Sequence, residues 1–334
     1  MYTDEDLYAA VKAGIFEEAS VSKFRKYISE SSDTMPADEE NFRLISGFND
    51  IFVSIASLLL LFSAGWLGFQ FAKPVGYFIA AGIAWFLSVY FVINKKLALP
   101  AIVFLVAFVV SAVGCIFFML QSYGLEKPVS IILASGFGAL AAWLHWYKFK
   151  VPITVAAGVA SLAACLISII TIQVPFLKDY VLVFVMASGI TAFFIAMYWD
   201  SQDTERKTRK SDVAFWLHLL SAPLIVHPIF SGMGILKAEG SIEKICVVIA
   251  LYIFLGLVSV SIDRRALMVS SLMYVLYAFT ALFKAYGMVS FSFAIAGIFI
   301  GSLLLLLSAF WHKSREILLQ FLPEYIKQYL PAIK

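Results

Sequence analysis

Charge is scarce in this chain. Asp, Glu, Lys and Arg make up 14% of the 334 residues, against about 25% in an ordinary soluble domain. The charges fall in short clusters. Between them run uncharged stretches of roughly 20 apolar residues, long enough to cross a hydrocarbon core of about 30 Å as helix. That pattern excludes an ordinary water-soluble domain. Only helices and closed barrels satisfy the backbone in lipid. The runs lack the alternation of barrel strands, so helix remains. The formal net charge of +3 is too small to point to nucleic acid.

Cysteine is scarce too. Cys115, Cys165 and Cys246 all lie inside apolar runs. An odd number at apolar positions excludes a disulfide framework, and the three read as small buried side chains. The opening Met1-Tyr2-Thr3-Asp4-Glu5-Asp6 is acidic, the wrong start for a signal or transit peptide. No P-loop, dinucleotide fingerprint, zinc-protease motif or nucleophile elbow stands in a suitable context. No charged residue falls near the middle of an apolar run, which argues against a proton- or sodium-coupled carrier. Neither a cofactor nor a metal is expected.

What is present is an all-α integral membrane protein of about ten transmembrane helices, framed by a polar head (1–50) and a tail (312–334). In the head, Asp4 to Ala13 reads as a short helix ended by Gly14 as a C-cap. Glu17 to Ser29 reads as a second helix with Val21, Phe24 and Ile28 on one face. A third is expected from Asp38 into the membrane. The spans are 51–70, 75–93, 97–120, 128–147, 151–173, 180–199, 213–236, 243–262, 266–284 and 289–311. In the tail, Ile317, Leu318, Phe321, Leu322, Tyr325, Ile326, Tyr329 and Leu330 recur at helical spacing. Arg315, Glu316, Gln320, Lys327 and Gln328 take the other side. The expectation is an amphipathic helix, bent at Pro323, that lies on the membrane surface or docks on the bundle.

Lysine and arginine set the orientation. With the N-terminus inside, nineteen of the 25 lie on the inner side, and Lys73, Lys127, Lys178, Lys237, Lys244 and Lys284 lie outside. The alternation holds at every loop and predicts N-in/C-in. The spans also repeat. Gln70, Gln121 and Gln173 stand 51 and 52 residues apart, each ending an odd-numbered span and followed by a lysine. Lys96-Leu-Ala-Leu-Pro100 matches Lys148-Phe-Lys-Val-Pro152, again 52 apart. The unit is a two-span helical hairpin, repeated in parallel orientation. It is clear over six spans and faint in the last four. The glutamines read as interfacial polar ends or as a polar ring at an outer vestibule.

The seventh span draws most attention. It carries His218, Pro223, His227 and Pro228 within its apolar run. Each proline removes a backbone donor, and a broken helix at membrane depth survives where it is buried or lines a cavity. His218 and His227 are nine residues apart, half a turn out of phase at about 100° per residue, so a shared metal is not expected. They read as histidines satisfied by neighbours, or as substrate- or proton-contacting groups. Before this span, Asp200 to Asp212 holds four charges of each sign. Its Arg206, Lys207, Arg209 and Lys210 are candidates to grip anionic lipid headgroups; otherwise the loop is solvated. Ser211 or Asp212 is expected to cap the span. Asp263-Arg264-Arg265 holds the equivalent place before the ninth span and reads as a solvated turn.

Leu7-Tyr-Ala-Ala-Val-Lys-Ala-Gly14-Ile15-Phe16-Glu17, then a short helix and many spans, resembles the start of bacterial inner-membrane proteins in domain-of-unknown-function families. The resemblance implies a bacterial inner membrane and no assigned activity. The span count also resembles drug/metabolite transporters, which have two inverted halves of five; the parallel hairpin repeat departs from that plan. Three readings follow. The first is a transporter or small-molecule or lipid-binding membrane protein, its site near the seventh span and the three glutamines. The second is a non-catalytic scaffold or regulator whose head, residues 1–50, docks a cytoplasmic protein. The third is a lipid-modifying enzyme.

Overall fold

The computed structural model describes residues 10–31, 48–204, 206, 208–232, 242–285, 291–327 and 329–331. All regular structure among them is helical. The chain divides into two compact units, residues 1–42 and 43–334. In the first, a helical turn ends at Gly14, whose φ of +69° is the left-handed C-cap that glycine allows without strain. The amide of Ile15 donates back to the Ala10 carbonyl at 2.9 Å, which closes the cap. Helix α1 follows (Glu18–Ser31) with Val21 buried and Phe24 half-buried. The helix expected from Asp38 lies outside the described residues.

The second unit contains α2 (Phe48–Phe69), α3 (Lys73–Leu87, continued as a π-helix over Ser88–Asn94), α4 (Ala98–Ser122), α5 (Lys127–Phe149), α6 (Ile153–Gln173) and α7 (Val181–Ser201). Then come α8 (Arg209–Gly232), α9 (Ile242–Ile262), α10 (Ala266–Ala285), α11 (Ser292–Ala309), α12 (Trp311–Gln320) and the short α13 (Glu324–Lys327). Prolines mark several starts: Pro74 opens α3, Pro128 opens α5, Pro152 precedes α6 and Pro175 opens the 3-10 turn before α7. Proline suits a first turn because its missing N–H is unsatisfied there anyway.

Among the described residues seven helices are long and apolar enough to cross a membrane, α2 to α8, and α11 with α12 makes an eighth if that pair, bent by 74°, is one span. Helices α9 and α10 are apolar as well, over Cys246–Ile262 and Ala266–Thr280. The side chains follow a membrane pattern. In α2 the buried positions are Asp50, Ser54, Ser57, Leu61, Gly65 and Gly68, whereas Phe52, Leu59, Phe62 and Trp66 are exposed. Small and polar groups inside with large apolar groups outside is how helices pack when the solvent is lipid. The contact of α2 with α3 depends on it: a Cβ added to Gly68 would stand 2.6 Å from the Gly76 Cα.

From α2 to α8 each helix packs on the next, as do α9 on α10 and α10 on α11, and α2, α4, α6, α8 and α10 also touch in sequence as one continuous row. Four connections carry a non-glycine residue in the left-handed region: Lys96 after α3, Lys150 after α5, Arg206 after α7 and Asp263 after α9. The seventh apolar run is not broken. It forms one continuous helix, α8, with Pro223 and Pro228 inside it. Each proline leaves one carbonyl without its usual donor, at Leu219 and Leu224. Packing against α6, α7 and α10 holds the helix through both.

A buried ionic centre at the ends of α7, α8 and α9

Helix α8 is half buried along its apolar stretch, more than any other membrane-length helix. Its third turn presents His218, 2% exposed, to the last turn of α7. There stands Asp200, 1% exposed. His218 Nε2 lies 3.1 Å from Asp200 Oδ2. The carboxylate only accepts, so Nε2 carries the proton in this pair. The same oxygen receives Arg264 Nε at 3.2 Å, and Oδ1 receives Arg264 Nη2 at 2.6 Å. This is a two-pronged guanidinium–carboxylate contact, the strongest common type. Arg264 Nη2 also donates to Ser211, at 3.1 Å to Oγ and 3.3 Å to the carbonyl. The guanidinium lies 5.8 Å from the Phe215 ring centre, and Phe193 meets His218 edge-on at 5.3 Å.

A second pair lies alongside, with the roles exchanged. Here the connection after α7 supplies the cation and the turn after α9 the anion. Arg206 Nη1 donates to Asp263 Oδ2 at 2.7 Å, and its Nη2 to the Asp263 carbonyl at 3.0 Å. Asp263 Oδ1 receives the Trp311 indole N–H at 2.6 Å. Arg265 lies over the Trp311 ring, 4.9 Å from its centre. Ser259 Oγ donates to the Arg264 carbonyl and pins the turn. Two crossed ion pairs thus join the α7–α8 hairpin to the α9–α10 turn and to the start of α12. Each pair is neutral as a unit, which is what makes burial of four charges tolerable.

The solvated reading holds for Gln202, Thr208, Arg209 and Lys210, which are exposed, but not for the residues that pair. Asp200, Asp203, Asp263 and Arg264 are buried, and the Arg206 side chain is only 5% exposed. The expected caps are also corrected. Thr208 caps α8, its Oγ1 receiving the Lys210 amide at 3.3 Å, while Asp203 Oδ2 holds the Thr208 amide at 2.8 Å.

The other candidate residues are dispersed. His227 is exposed, with its Nδ1 2.6 Å from Tyr274 Oη on α10. The half-turn phase places it away from His218, and Pro223 is exposed as well. Gln70 and Gln173 are exposed at the ends of α2 and α6. Gln121, at the end of α4, donates to the Leu125 carbonyl at 3.1 Å and to Ser130 Oγ at 2.9 Å, so it ties α4 to α5. Of the four headgroup candidates, Arg206 is turned inward to Asp263, Arg209 and Lys210 are exposed, and Lys207 lies outside the described residues. In the tail, Arg315, expected on the polar side, is buried and donates to the Pro331 carbonyl. Leu319 and Leu330 pack with Ala222, Ile262 and Leu267.

Sequence reasoning missed Asp200, Ser211, Asp263, Arg264 and Trp311. One signal was available: three residues, 263–265, join α9 to α10, and all three are charged. A turn that short cannot carry its charges away from the helix ends.

His218 Nδ1 is buried and has no hydrogen-bond partner among the described residues. The arrangement therefore offers one imidazole nitrogen, oriented through the opposite nitrogen by a carboxylate that an arginine holds in place. Among the described residues no serine completes a nucleophilic pair with it: Ser221 Oγ donates to the His218 carbonyl at 3.0 Å, and Ser211 receives the arginine. The described residues form an all-helical bundle, its long apolar helices compatible with a membrane protein, with an ionic cluster buried at the ends of α7, α8 and α9. No known family model, curated protein or solved structure matches the chain.

Proposed function

We propose that the chain is a transporter or small-molecule-binding protein of a bacterial inner membrane, with Asp200, His218 and Arg264 as its working centre. The observation that carries this is one network holding a carboxylate, a guanidinium and an imidazole, each no more than 2% exposed, in a bundle of apolar helices. Ionisable groups in such surroundings are costly and usually mark a substrate or ion path. His218 Nδ1 is the contact point for a donor on the substrate or for water.

Ten spans, arranged as repeated hairpins with both termini inside, complete the reading. The continuous row of α2, α4, α6, α8 and α10 supports it, as do the four left-handed residues at 96, 150, 206 and 263, each following an even-numbered span. Nineteen of 25 lysines and arginines on one side support the orientation.

Thiol accessibility in a bilayer tests it. Cys115, Cys165 and Cys246 are replaced by alanine and Ser221→Cys is introduced one turn from His218. A membrane-impermeant methanethiosulfonate is expected to modify Cys at 221 while Ala196→Cys, in the packed core of α7, stays inert. Equal inertness at both positions would make the cluster a dry clasp and leave the scaffold reading. In the same background Lys210→Cys reacts only from the inner side; reaction from outside would invert the orientation.

A further inference from the structure

Helix α12 carries three kinds of surface. At about 100° per residue, Trp311, Arg315 and Leu319 share one sector, and all three are buried. Trp311 donates to Asp263, and Leu319 packs with Ile262 and Leu267, so this sector is docked on the bundle. His312, Lys313, Glu316 and Gln320 share a second sector and are exposed. That is a side for water. The remaining arc, about 100° wide, holds Ile317, Leu318 and Phe321. Ile317 is 50% exposed and Phe321 is 81% exposed. Docking therefore accounts for only one of the two apolar sides of this helix.

The path of the chain indicates what lies against the other. Helix α12 turns 74° from α11. An axis turned that far from an apolar, membrane-length direction runs nearly in the membrane plane, as an interfacial amphipathic helix does. Ile317, Leu318 and Phe321 form one wall of a cleft of about 730 Å³ whose other walls come from α9, α10 and α11. Leu257 of α9 and Leu303 of α11 line it and are themselves exposed. No charged side chain lines the cleft among the described residues. The free side of α12 thus opens onto the same apolar space as the flanks of two apolar helices, a space suited to hydrocarbon rather than water. Beyond Pro323, Tyr325 and Tyr329 continue the four-residue step from Ile317 and Phe321 and are exposed. Tyrosine is enriched where lipid meets water.

We infer that α12 is an interfacial helix whose Ile317, Leu318 and Phe321 lie among the acyl chains of the adjacent leaflet, with Lys313, Glu316 and Gln320 on the water side. The charges of the tail offset one another: Lys313 stands beside Glu316 on the water side, and Lys327 pairs with Glu324 at 2.7 Å. The contact is therefore with hydrocarbon, and zwitterionic lipid serves as well as anionic. The inference rests on the membrane reading of the chain and not on the α8 centre.

Spin-label accessibility in proteoliposomes tests it. Cys115, Cys165 and Cys246 are replaced by alanine in the full chain. Single labels are attached at Ile317→Cys, Phe321→Cys and Gln320→Cys, and at Leu59→Cys, an exposed position midway along α2. The vesicles are palmitoyl-oleoyl phosphatidylcholine alone, or with an equal amount of phosphatidylglycerol. Collisions with oxygen are expected to dominate at 59, 317 and 321 in both, and collisions with a water-soluble nickel chelate at 320. Nickel dominance at 317 and 321 with oxygen dominance at 59 would overturn the inference and leave the membrane reading standing. Nickel dominance at 59 as well would overturn both. Labels at 317 and 321 shielded from both reagents would overturn it in favour of a protein cover, such as a second copy of the chain. Oxygen dominance at 317 and 321 only with phosphatidylglycerol present would overturn the hydrocarbon contact in favour of headgroup binding.

Discussion

Trp311 shows how much a single side chain ties together. Its indole N–H reaches Asp263 at 2.6 Å, its ring carries Arg265, and its burial seats α12 on α9. Trp311→Phe keeps the ring and removes the donor. Asp263 would lose one of the bonds that compensate its burial, at a cost of about 1–3 kcal/mol. The melting temperature of the purified protein should fall by several degrees; an unchanged value would mean that the indole bond contributes nothing. His218 was conspicuous as a histidine in an apolar run. Its partner was not, because Asp200 looks like the first residue of a charged loop. Arg264 lies 64 residues beyond Asp200, and Asp263 lies 57 beyond Arg206. Local spacing cannot report pairings at such a distance, and the inside bias of basic residues offered a sufficient account of both loops.

Among helices, the apolar runs gave positions and approximate ends well, since span length is set by bilayer thickness. Pro74, Pro128 and Pro152 stand at helix starts, where a missing N–H costs nothing. Proline was misleading inside α8. The helix-breaking effect of Pro223 and Pro228 is outweighed by neighbours on several sides, a tertiary effect that no local pattern contains. The tightest support is at Gly189 in α7, where an added Cβ would come 2.8 Å from the Leu224 Cβ and 2.9 Å from its backbone carbon. Gly189→Leu should therefore push α7 off α8 and separate Asp200 from His218. The variant should melt several degrees lower. It should also admit the methanethiosulfonate to Ala196→Cys, which is inert in the parent. A Gly189→Leu protein with parental stability and an inert cysteine would show that the helices do not approach so closely.

Taken across the bundle, the hairpin repeat read from glutamines and lysine–proline pairs over six spans has a counterpart further along. The left-handed residues continue into the second half at Arg206 and Asp263, where the sequence pattern is faint. Conserving that turn geometry needs only a backbone conformation, so the side chains there are free to differ. In the second half they are put to a different use: they exchange charges between hairpins. Lipid does not drive helices together as water does, and crossed ion pairs give the α9–α12 part a directional hold on α7 and α8.

The most direct measurement is a double-mutant cycle on Asp200→Asn and Arg264→Gln, read as unfolding free energy in micelles. Removing one partner of a buried pair strands the other, so each single variant should lose about 3–5 kcal/mol. The double variant should lose less than the sum, with a coupling of about 0.5–3 kcal/mol. Single losses under about 1 kcal/mol that simply add are what water-exposed loop charges give. That result would contradict a buried centre, and with it the functional reading built on His218.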